Sequence, residues 1–284
     1  MKIGYLTTYF YPVTGGAENN CFYIAKELAK TNEIHVFTSD RKDNQLFKDE
    51  EVIDNINIHR FKTLLRYKYY FALYPSIIKR ILKADLDILH VHSLGFAVHD
   101  ITILLKKLKK KTKLVITPHG PFMALPSYPL HQRILKSIFT KIEMPFNKLY
   151  DAIIQVNPYQ HEWLVKLGFD KNKIHFIPNG IPEETFMKVS KKTYYKNKLV
   201  ITYIGRIQEY KGLNQVINLL PEFPGLTFVA MGQDAGDRIR LESLAKKLKV
   251  QSQLIFTGKV SETKKLQLLD ESELFILPSQ WEAF

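Results

Sequence analysis

Segments typical of buried strands and of helices alternate along this chain, and this alternation most constrains its fold. In the first two thirds the predicted strands are Lys2–Thr8, Glu33–Thr38, Ile56–Phe61, Asp87–His92, Lys113–Pro118, Asp151–Val156 and Lys173–Ile177. Between most of them, apolar residues recur at helical spacing over Ala17–Lys30, Phe71–Ala84, Phe96–Lys109, Gln132–Tyr150 and Pro158–Leu167. Such alternation predicts a mainly parallel sheet covered by helices on both faces.

The alternation stops once, and this interruption divides the chain. The polar stretch Glu183–Lys198 is typical of a linker. Beyond it, the predicted strands are Leu199–Ile207, Leu226–Gly232, Gln253–Val260 and Leu274–Pro278, with helices at Leu213–Leu220, Arg238–Leu248 and Glu262–Glu271. We therefore expect an α/β protein with two tandem Rossmann-like, doubly wound domains, residues 1–185 and 186–284.

The second predicted domain has fewer strands than its fold class usually has. Four strands are predicted, whereas doubly wound domains commonly have five or six. The last one, Leu274–Pro278, is apolar and would be left at an edge of the sheet, where unpaired strands promote aggregation. We expect this domain to be incomplete and the chain to be a truncated product, part of a split gene or a fragment.

The predicted strand at Leu199 leads directly into Gly205 and two cations, Arg206 and Lys211. Open α/β sheets bind ligands at the carboxyl ends of their strands. Because Gly212 and a predicted helix follow, two cations beside a helix N-terminus predict a site for a diphosphate. The alternative is that both cations form ordinary surface ion pairs.

Positive charge is concentrated in one segment. The formal net charge is +13, and residues 60–150, with 17 Lys or Arg against 4 Asp or Glu, carry the whole excess. Aromatic residues and cations are interleaved over residues 61–71, which is typical of an interfacial helix on an anionic membrane. Lysine-rich helices that only solvate the domain, and a nucleic-acid surface, are the alternatives. We favour the membrane and expect no nucleic-acid partner.

Composition excludes several classes of protein. The single cysteine, Cys21, excludes a disulfide framework and a multi-cysteine metal site, and we expect it in the core. No apolar run approaches the ~18 residues of a membrane span, and the first residues are typical of a strand rather than of a signal peptide. We expect a cytoplasmic protein, peripheral on the inner face of the membrane.

Six short motifs occur in the order in which glycosyltransferase family four carries them. In the first domain they are Tyr11-Pro12-Val13-Thr14-Gly15-Gly16-Ala17-Glu18, Asp87-Ile88-Leu89-His90-Val91-His92, Thr117-Pro118-His119-Gly120 and Ile177-Pro178-Asn179-Gly180-Ile181. In the second they are Gly205-Arg206 with Lys211-Gly212, and Leu277-Pro278-Ser279 with Glu282-Ala283-Phe284. Over its whole length the chain thus resembles this family of retaining enzymes, which have the GT-B fold. It departs from the pattern at the end, because the second Glu of the family's Glu-x7-Glu motif, which begins at Glu282, would lie beyond Phe284.

The resemblance implies a role for each matching residue. Arg206 and Lys211 would hold the donor diphosphate and offset the negative charge that grows on the leaving nucleotide. Glu282 would hydrogen-bond sugar hydroxyls, and His119 would lie against the transferred sugar in the cleft of the fold. The implied catalytic set is His119, Arg206, Lys211 and Glu282. The implied donor-binding set is Gly15, Gly16, Asn179, Gly205, Arg206, Lys211, Lys259, Glu282, Ala283 and Phe284.

Structural roles remain open for several of these residues. The pair Gly15–Gly16 suits a tight turn as well as a phosphate approached by backbone N–H groups. Glu18 suits the positive end of the following helix, and Asn179–Gly180 suits a turn. His90 and His92 are expected to pack or to make polar contacts rather than to bind a metal, since no third ligand at a suitable spacing appears.

The implied function is transfer of a hexose from a nucleotide-diphosphate sugar to a hydroxyl, with the anomeric configuration retained and without a metal or other cofactor. The basic segment favours a lipid-linked or cell-surface glycan acceptor. We assign no catalytic nucleophile. The alternatives are an inactive chain that binds a membrane or a partner, and a nucleotide-sugar epimerase of the same fold.

Overall fold

The computed structural model describes residues 1–42, 44–67, 71–94, 97–109, 111–120, 129–186, 190, 192–196, 198–280 and 282. These form two compact units, Met1–Pro182 and Glu183–Glu282, each with its own sheet. Among the described residues, no helix combines the length and the hydrophobicity needed to cross a bilayer.

The strands of the first unit confirm the predicted parallel sheet. They are β1 (Lys2–Leu6), β2 (Glu33–Ser39), β3 (Arg41–Lys42), β4 (Gln45–Leu46), β5 (Glu50–Ile53), β6 (Ile56–Phe61), β7 (Leu65–Tyr67), β8 (Phe71–Leu73), β9 (Ile88–His92), β10 (Lys113–Thr117), β11 (Ala152–Gln155) and β12 (Ile174–Phe176). The main sheet has the order β12-β11-β10-β9-β1-β2-β6-β5. All neighbours run parallel except β5, which pairs antiparallel with β6.

The helices of the first unit cover both faces of this sheet. They are α1 (Gly16–Leu28), α2 (Ser76–Lys83), α3 (Val98–Leu108), α4 (Leu130–Asn147) and α5 (His161–Lys166). Successive residues of β1 point to opposite faces, so Tyr5 packs in a cluster with Cys21 of α1, and Leu6 packs in another with Ile77 of α2. Cys21 is fully buried, as predicted.

Two predictions for residues 61–84 are wrong. The helix predicted over Phe71–Ala84 is shorter than expected. Its first residues form β8, which pairs antiparallel with β7, and α2 begins only at Ser76. The cause is Pro75, because the residue before a proline is disfavoured in the helical conformation. The interfacial helix expected over residues 61–71 is also absent from the described residues there, which lie in β6, β7 and β8 or their connections; residues 68–70 lie outside them.

The second unit repeats the pattern with four parallel strands. They are β13 (Leu199–Ile204), β14 (Leu226–Met231), β15 (Leu254–Gly258) and β16 (Leu274–Phe275), in the order β15-β14-β13-β16. The helices are α6 (Leu213–Leu219), α7 (Arg238–Lys247) and α8 (Glu262–Asp270). The predicted strands and helices are confirmed, although β16 is shorter than expected and lies at the edge with both side chains about half exposed.

The predicted linker is partly built into this second unit. Residues Glu183–Phe186 form a single 3-10 turn. Further on, the backbone N–H groups of Tyr194 and Tyr195 donate to the Glu271 carboxylate over 2.9 and 2.6 Å. This carboxylate follows α8 directly, so the segment before β13 is fixed against the end of that helix.

Candidate functional site

Two glycines let the backbone approach closely at the carboxyl end of β13. The Gly205 N–H donates to the Met231 carbonyl over 2.9 Å, which extends the pairing with β14 by one step. Gly232 has a φ of +146°, and a Cβ there would overlap the Gly205 carbonyl oxygen. The backbone after β13 and the backbone after β14 can therefore pass this close to each other only because Gly205 and Gly232 have no side chains.

A third glycine brings a distant segment beside Lys211. Lys211 ends a 3-10 turn, Glu209–Lys211, and Gly212 follows in the left-handed conformation with a φ of 72°. A Cβ at Gly212 would overlap the carbonyl oxygen of Pro278. Since β16 pairs with β13, the residues after β16 pass directly over the start of α6.

This passage joins two residues that the sequence assigns to one site. The Lys211 Nζ lies 2.6 and 2.7 Å from the two carboxylate oxygens of Glu282. The Ser279 hydroxyl donates to the same carboxylate over 2.5 Å. The side chains of Lys211 and Glu282 are only 11% and 27% exposed, so their ion pair is largely shielded from water.

Arg206 lies on the exposed side of this pair. Its Nη2 donates to the Tyr210 hydroxyl over 3.4 Å, and the Lys211 Nζ lies 4.8 Å from the centre of the Tyr210 ring. Both predicted cations therefore contact the same tyrosine. Neither Tyr210 nor Ser279 was assigned a role from the sequence, although Ser279 lies inside a quoted motif and Tyr210 directly precedes Lys211.

The arrangement of these groups suits a bound anion. Two cations at the carboxyl edge of a parallel sheet can contact a diphosphate from two directions. Lys211 already holds a carboxylate, so an anion that binds its ammonium group must share or displace Glu282.

The remaining predicted residues of the second unit are farther away or not described. Lys259 is exposed and follows β15, which β14 separates from β13. Two strand spacings correspond to roughly 10 Å. Ala283 and Phe284 lie outside the described residues, so their implied donor contacts stay predictions.

In the first unit, the glycine loop after β1 is occupied by a carboxylate. Gly15 precedes α1 in an extended conformation, and a Cβ there would overlap a carboxylate oxygen of Glu18. Glu18 is buried in the first turn of α1. Glu18 thus lies where it can complement the positive end of α1, and the phosphate contact of Gly15 and Gly16 stays a prediction.

Asn179 is attached to the same helix. The Asn20 side-chain amide donates to the Asn179 Oδ1 over 2.7 Å, and Asn20 is buried in α1. This contact links the segment after β12 to the helix that follows the glycine loop. The sequence offered no signal for Asn20 beyond its position two residues after Glu18.

His119 belongs to a buried cluster at the carboxyl ends of β9 and β10. Its φ of 58° is left-handed, and its Nε2 lies 3.3 Å from the Nδ1 of His92. His90 contacts the Thr117 hydroxyl over 2.9 Å. His90 and His92 are buried, as predicted.

Burial determines the charge of these imidazoles. It lowers the pKa of His119 to about 4 and that of His90 to about 3, and it holds the pKa of His92 well below its usual value. All three are therefore neutral at pH 7. Within the described part of the chain, the buried Nδ1 of His119 has no hydrogen-bond partner. This nitrogen is therefore a neutral donor or acceptor whose hydrogen-bonding capacity the described residues leave unused.

No group of three or more His, Cys, Asp or Glu side chains is placed to hold a metal ion within the ranges that the structure describes.

Comparison with known proteins assigns the chain to a family. The family model described as Glycosyltransferase Family 4 matches residues 14–185, and that described as Glycosyl transferases group 1 matches residues 186–284. Alpha-galactosylglucosyldiacylglycerol synthase of Streptococcus pneumoniae is 26% identical over 277 residues, covering 90% of this chain and 72% of that protein. Phosphatidyl-myo-inositol mannosyltransferase of Mycolicibacterium smegmatis is 22% identical over 291 residues, covering 98% and 70%.

Solved structures show the same fold. The Anabaena protein HepE, in complex with UDP and glucose, superposes with a TM-score of 0.71 at 16% identity, over 100% of this chain and 76% of that one. WaaG, a glycosyltransferase involved in lipopolysaccharide biosynthesis, superposes with a TM-score of 0.61 at 16% identity, over 99% and 76%. With a family model matching more than half of its length, the chain belongs to glycosyltransferase family 4 and is a glycosyltransferase of the GT-B fold.

Proposed function

We propose that this enzyme transfers a hexose from a nucleotide-diphosphate sugar to a hydroxyl of a lipid-linked or cell-surface glycan, with retention of the anomeric configuration. The observation that carries the proposal is the contact of Arg206 and Lys211 with one tyrosine at the carboxyl edge of β13. Two cations there are suited to a diphosphate leaving group.

The chemistry gives both cations a task. Breaking the bond between sugar and phosphate leaves growing negative charge on the nucleotide, and fixed cations stabilise that charge most in the transition state. The ion pair with Glu282 keeps the Lys211 ammonium group at the edge of the sheet before the donor binds. In this proposal no metal ion takes part.

Glu282 and His119 act on the sugar in this proposal. When the diphosphate binds Lys211, the Glu282 carboxylate can accept hydrogen bonds from sugar hydroxyls. His119 is neutral at pH 7 and offers its Nδ1 as a hydrogen-bond partner rather than as a charge. Lys259 and Asn179 are proposed to contact other parts of the donor.

The names of similar proteins support the donor and acceptor classes. HepE structures are described in complex with UDP, with UDP and glucose, and with UDP-glucose. Of the two relatives named above, one is by its name a diacylglycerol glycolipid synthase and the other a phosphatidylinositol mannosyltransferase. The excess positive charge of residues 60–150 supports an acceptor at an anionic membrane, and we propose that the enzyme works at the cytoplasmic face without a nucleic-acid partner.

Transfer of label from radiolabelled nucleotide sugars to lipid extracts tests the proposal. Labelled lipid is the expected product, it should form equally in EDTA, and the anomeric coupling constant of the product should match that of the donor. Donor turnover without transferred label would contradict a transferase, and conversion of the donor to an epimer would identify the alternative activity.

Variants of the two cations test their roles. Lys211→Ala and Arg206→Ala should each lower kcat by about 10²–10³-fold, the loss typical of one donor aimed at developing charge. Lys246→Ala removes an exposed lysine of α7 and serves as the matched control. Unchanged kcat in both active-site variants would refute the proposed site.

A further inference from the structure

The outward face of α4 is apolar. Leu130, Ile134, Ile138 and Ile142 follow one another at four-residue spacing, and each is between 50% and 68% exposed. Leu135 beside them is 53% exposed. Residues four apart lie on one side of a helix, so these five side chains, here called the α4 ridge, form a row about 18 Å long.

The inward face of the same helix is more polar than the ridge. Glu143 and Asn147 are its buried residues. The Asn147 amide donates to the Leu167 carbonyl over 2.8 Å, and burial, together with the neighbouring Asp100 carboxyl, raises the pKa of Glu143. A helix of a soluble protein normally turns its apolar side to the core. In α4 the isoleucines face the other way.

Cations flank the ridge and acids do not. Arg133 and Lys141 are exposed and lie three residues from Leu130 and Ile138, which makes each of them a neighbour of the ridge on the helix surface. The one acid of α4 is the buried Glu143. The outward surface of α4 thus combines apolar side chains with positive charge only.

The adjacent helix shows the same combination. α3 contacts α4 and exposes Ile101, Leu104 and Leu108, which share one side of the helix at spacings of three and four. Two neighbouring helices of the most basic segment of the chain therefore leave apolar residues in water. Single exposed apolar residues are ordinary, whereas contiguous rows mark interaction surfaces.

We propose that the α4 ridge docks into the interfacial region of an anionic lipid bilayer, with the helix axis parallel to the membrane plane. Acyl chains would cover the isoleucines, and lipid phosphates would pair with Arg133 and Lys141. A second copy of this chain fits less well, since a two-fold contact would bring the same cations together without an acid to pair with them.

The inference deepens the proposed function, because it names the surface that brings the enzyme to a lipid-linked acceptor. It does not depend on sugar transfer, and the two can fail separately. The ridge also replaces residues 61–71 as the apolar part of the basic segment, since the described residues of that stretch lie in strands and their connections and not in a helix.

Sedimentation of the whole protein with vesicles tests the ridge. Vesicles of equal parts phosphatidylglycerol and phosphatidylcholine should bind it, and phosphatidylcholine vesicles or 1 M salt should release it. The double variant Ile134→Ser/Ile138→Ser should weaken binding at least about tenfold, since each isoleucine loses its apolar contact with lipid. Ile239→Ser, at a 78% exposed position of α7, is the control and should bind like the wild type.

A second pair of variants tests the charges. Arg133→Gln/Lys141→Gln should weaken binding roughly 25-fold, about fivefold for each cation near the surface. Lys246→Gln/Lys247→Gln removes the same charge from α7 and should change binding by less than about twofold. Circular dichroism establishes that every variant is folded.

Three outcomes would overturn the inference. They are no binding of the wild type to anionic vesicles, binding of the ridge variant equal to that of the wild type, and a wild-type dimer in light scattering that the ridge variant dissociates without any effect of lipid. Arg206→Ala separates the two proposals, since it should lower kcat for sugar transfer by about 10²–10³-fold and leave vesicle binding intact. The ridge variant should still transfer sugar to a water-soluble acceptor.

Discussion

Replacing Glu282 by Gln should destabilise the second unit more than replacing its partner Lys211 by Met. The lysine side chain is 11% exposed and the glutamate side chain 27%. Glu282→Gln leaves a nearly buried ammonium group without a counter-charge. Lys211→Met keeps an apolar stem in place and leaves a carboxylate that retains the Ser279 hydroxyl and reaches water.

The magnitudes follow from this difference in burial. Breaking a fully buried ion pair costs about 3–5 kcal/mol, and breaking an exposed one costs about 0–1 kcal/mol. For a pair close to the buried limit we expect about 2–3 kcal/mol for Glu282→Gln and about 1 kcal/mol for Lys211→Met. In a unit of this size, 1 kcal/mol shifts the Tm by roughly 4–8 °C.

Urea unfolding at pH 7, followed by circular dichroism, measures both variants and the double variant. The double variant should be less destabilised than Glu282→Gln, because it leaves no unpaired charge. Glu242→Gln breaks the ion pair with Arg238, in which both side chains are 47% exposed, and should cost less than about 0.5 kcal/mol. Equal losses for the two single variants, or a coupling energy within about 0.5 kcal/mol of zero, would refute the reasoning.

Three further predictions concern the fold. Gly232→Ala should destabilise the second unit by about 3 kcal/mol or more in urea unfolding, because its Cβ would overlap a backbone carbonyl. Burial raises the pKa of Asp100 to about 6, and burial together with the neighbouring Asp100 carboxyl raises the pKa of Glu143 to about 9. Stability should therefore fall as pH rises above about 4, where these carboxyls would ionise in the unfolded chain. Glu143→Gln should show a smaller loss between about pH 5 and 9, and an equal loss would contradict the pairing. Tyr74→Phe removes a 2.5 Å hydrogen bond to the buried His99 and should lower the free energy of unfolding by about 1–3 kcal/mol.

Periodicity alone was enough to predict most of the sheet. Runs such as Leu199–Ile204 are apolar because parallel strands are covered on both faces. Such strands can be recognised in a sequence as nearly continuous apolar runs. β5 was missed because Glu50 and Glu51 occupy half of this edge strand, whose burial is incomplete. The antiparallel pair β7–β8 was missed because two strands of three residues each are too short for a period to be recognised.

The site was predictable in its parts but not in its contacts. Arg206 and Lys211 follow a buried strand directly, so local sequence places them at the sheet edge. The pairing of Lys211 with Glu282 joins residues 71 positions apart. It requires that β16 lie beside β13 and that residue 212 be a glycine, which has no Cβ to clash with the Pro278 carbonyl. Tyr210 contacts both cations of the candidate site because of the same fold, and no local pattern distinguishes it from an ordinary surface tyrosine.

Helical spacing has a similar limit in α4. The recurrence of Leu130, Ile134, Ile138 and Ile142 predicts a helix with an apolar side but does not say which side faces the core. That choice depends on tertiary contacts, here the burial of Glu143 against α3. A periodic apolar row on its own is therefore equally compatible with a core helix and with a docking surface.

The proposed donor site and the α4 ridge differ in the contacts that they make before a ligand or a membrane binds. Lys211 already pairs with Glu282, so binding of a diphosphate must overcome an existing ion pair, and it can do so because it brings more negative charge than one carboxylate. The α4 ridge is covered by none of the described residues, so contact with lipid replaces water only. Membrane binding should consequently be independent of the nucleotide sugar, and donor binding should weaken with salt, as the pairing of Arg133 and Lys141 with lipid phosphates does.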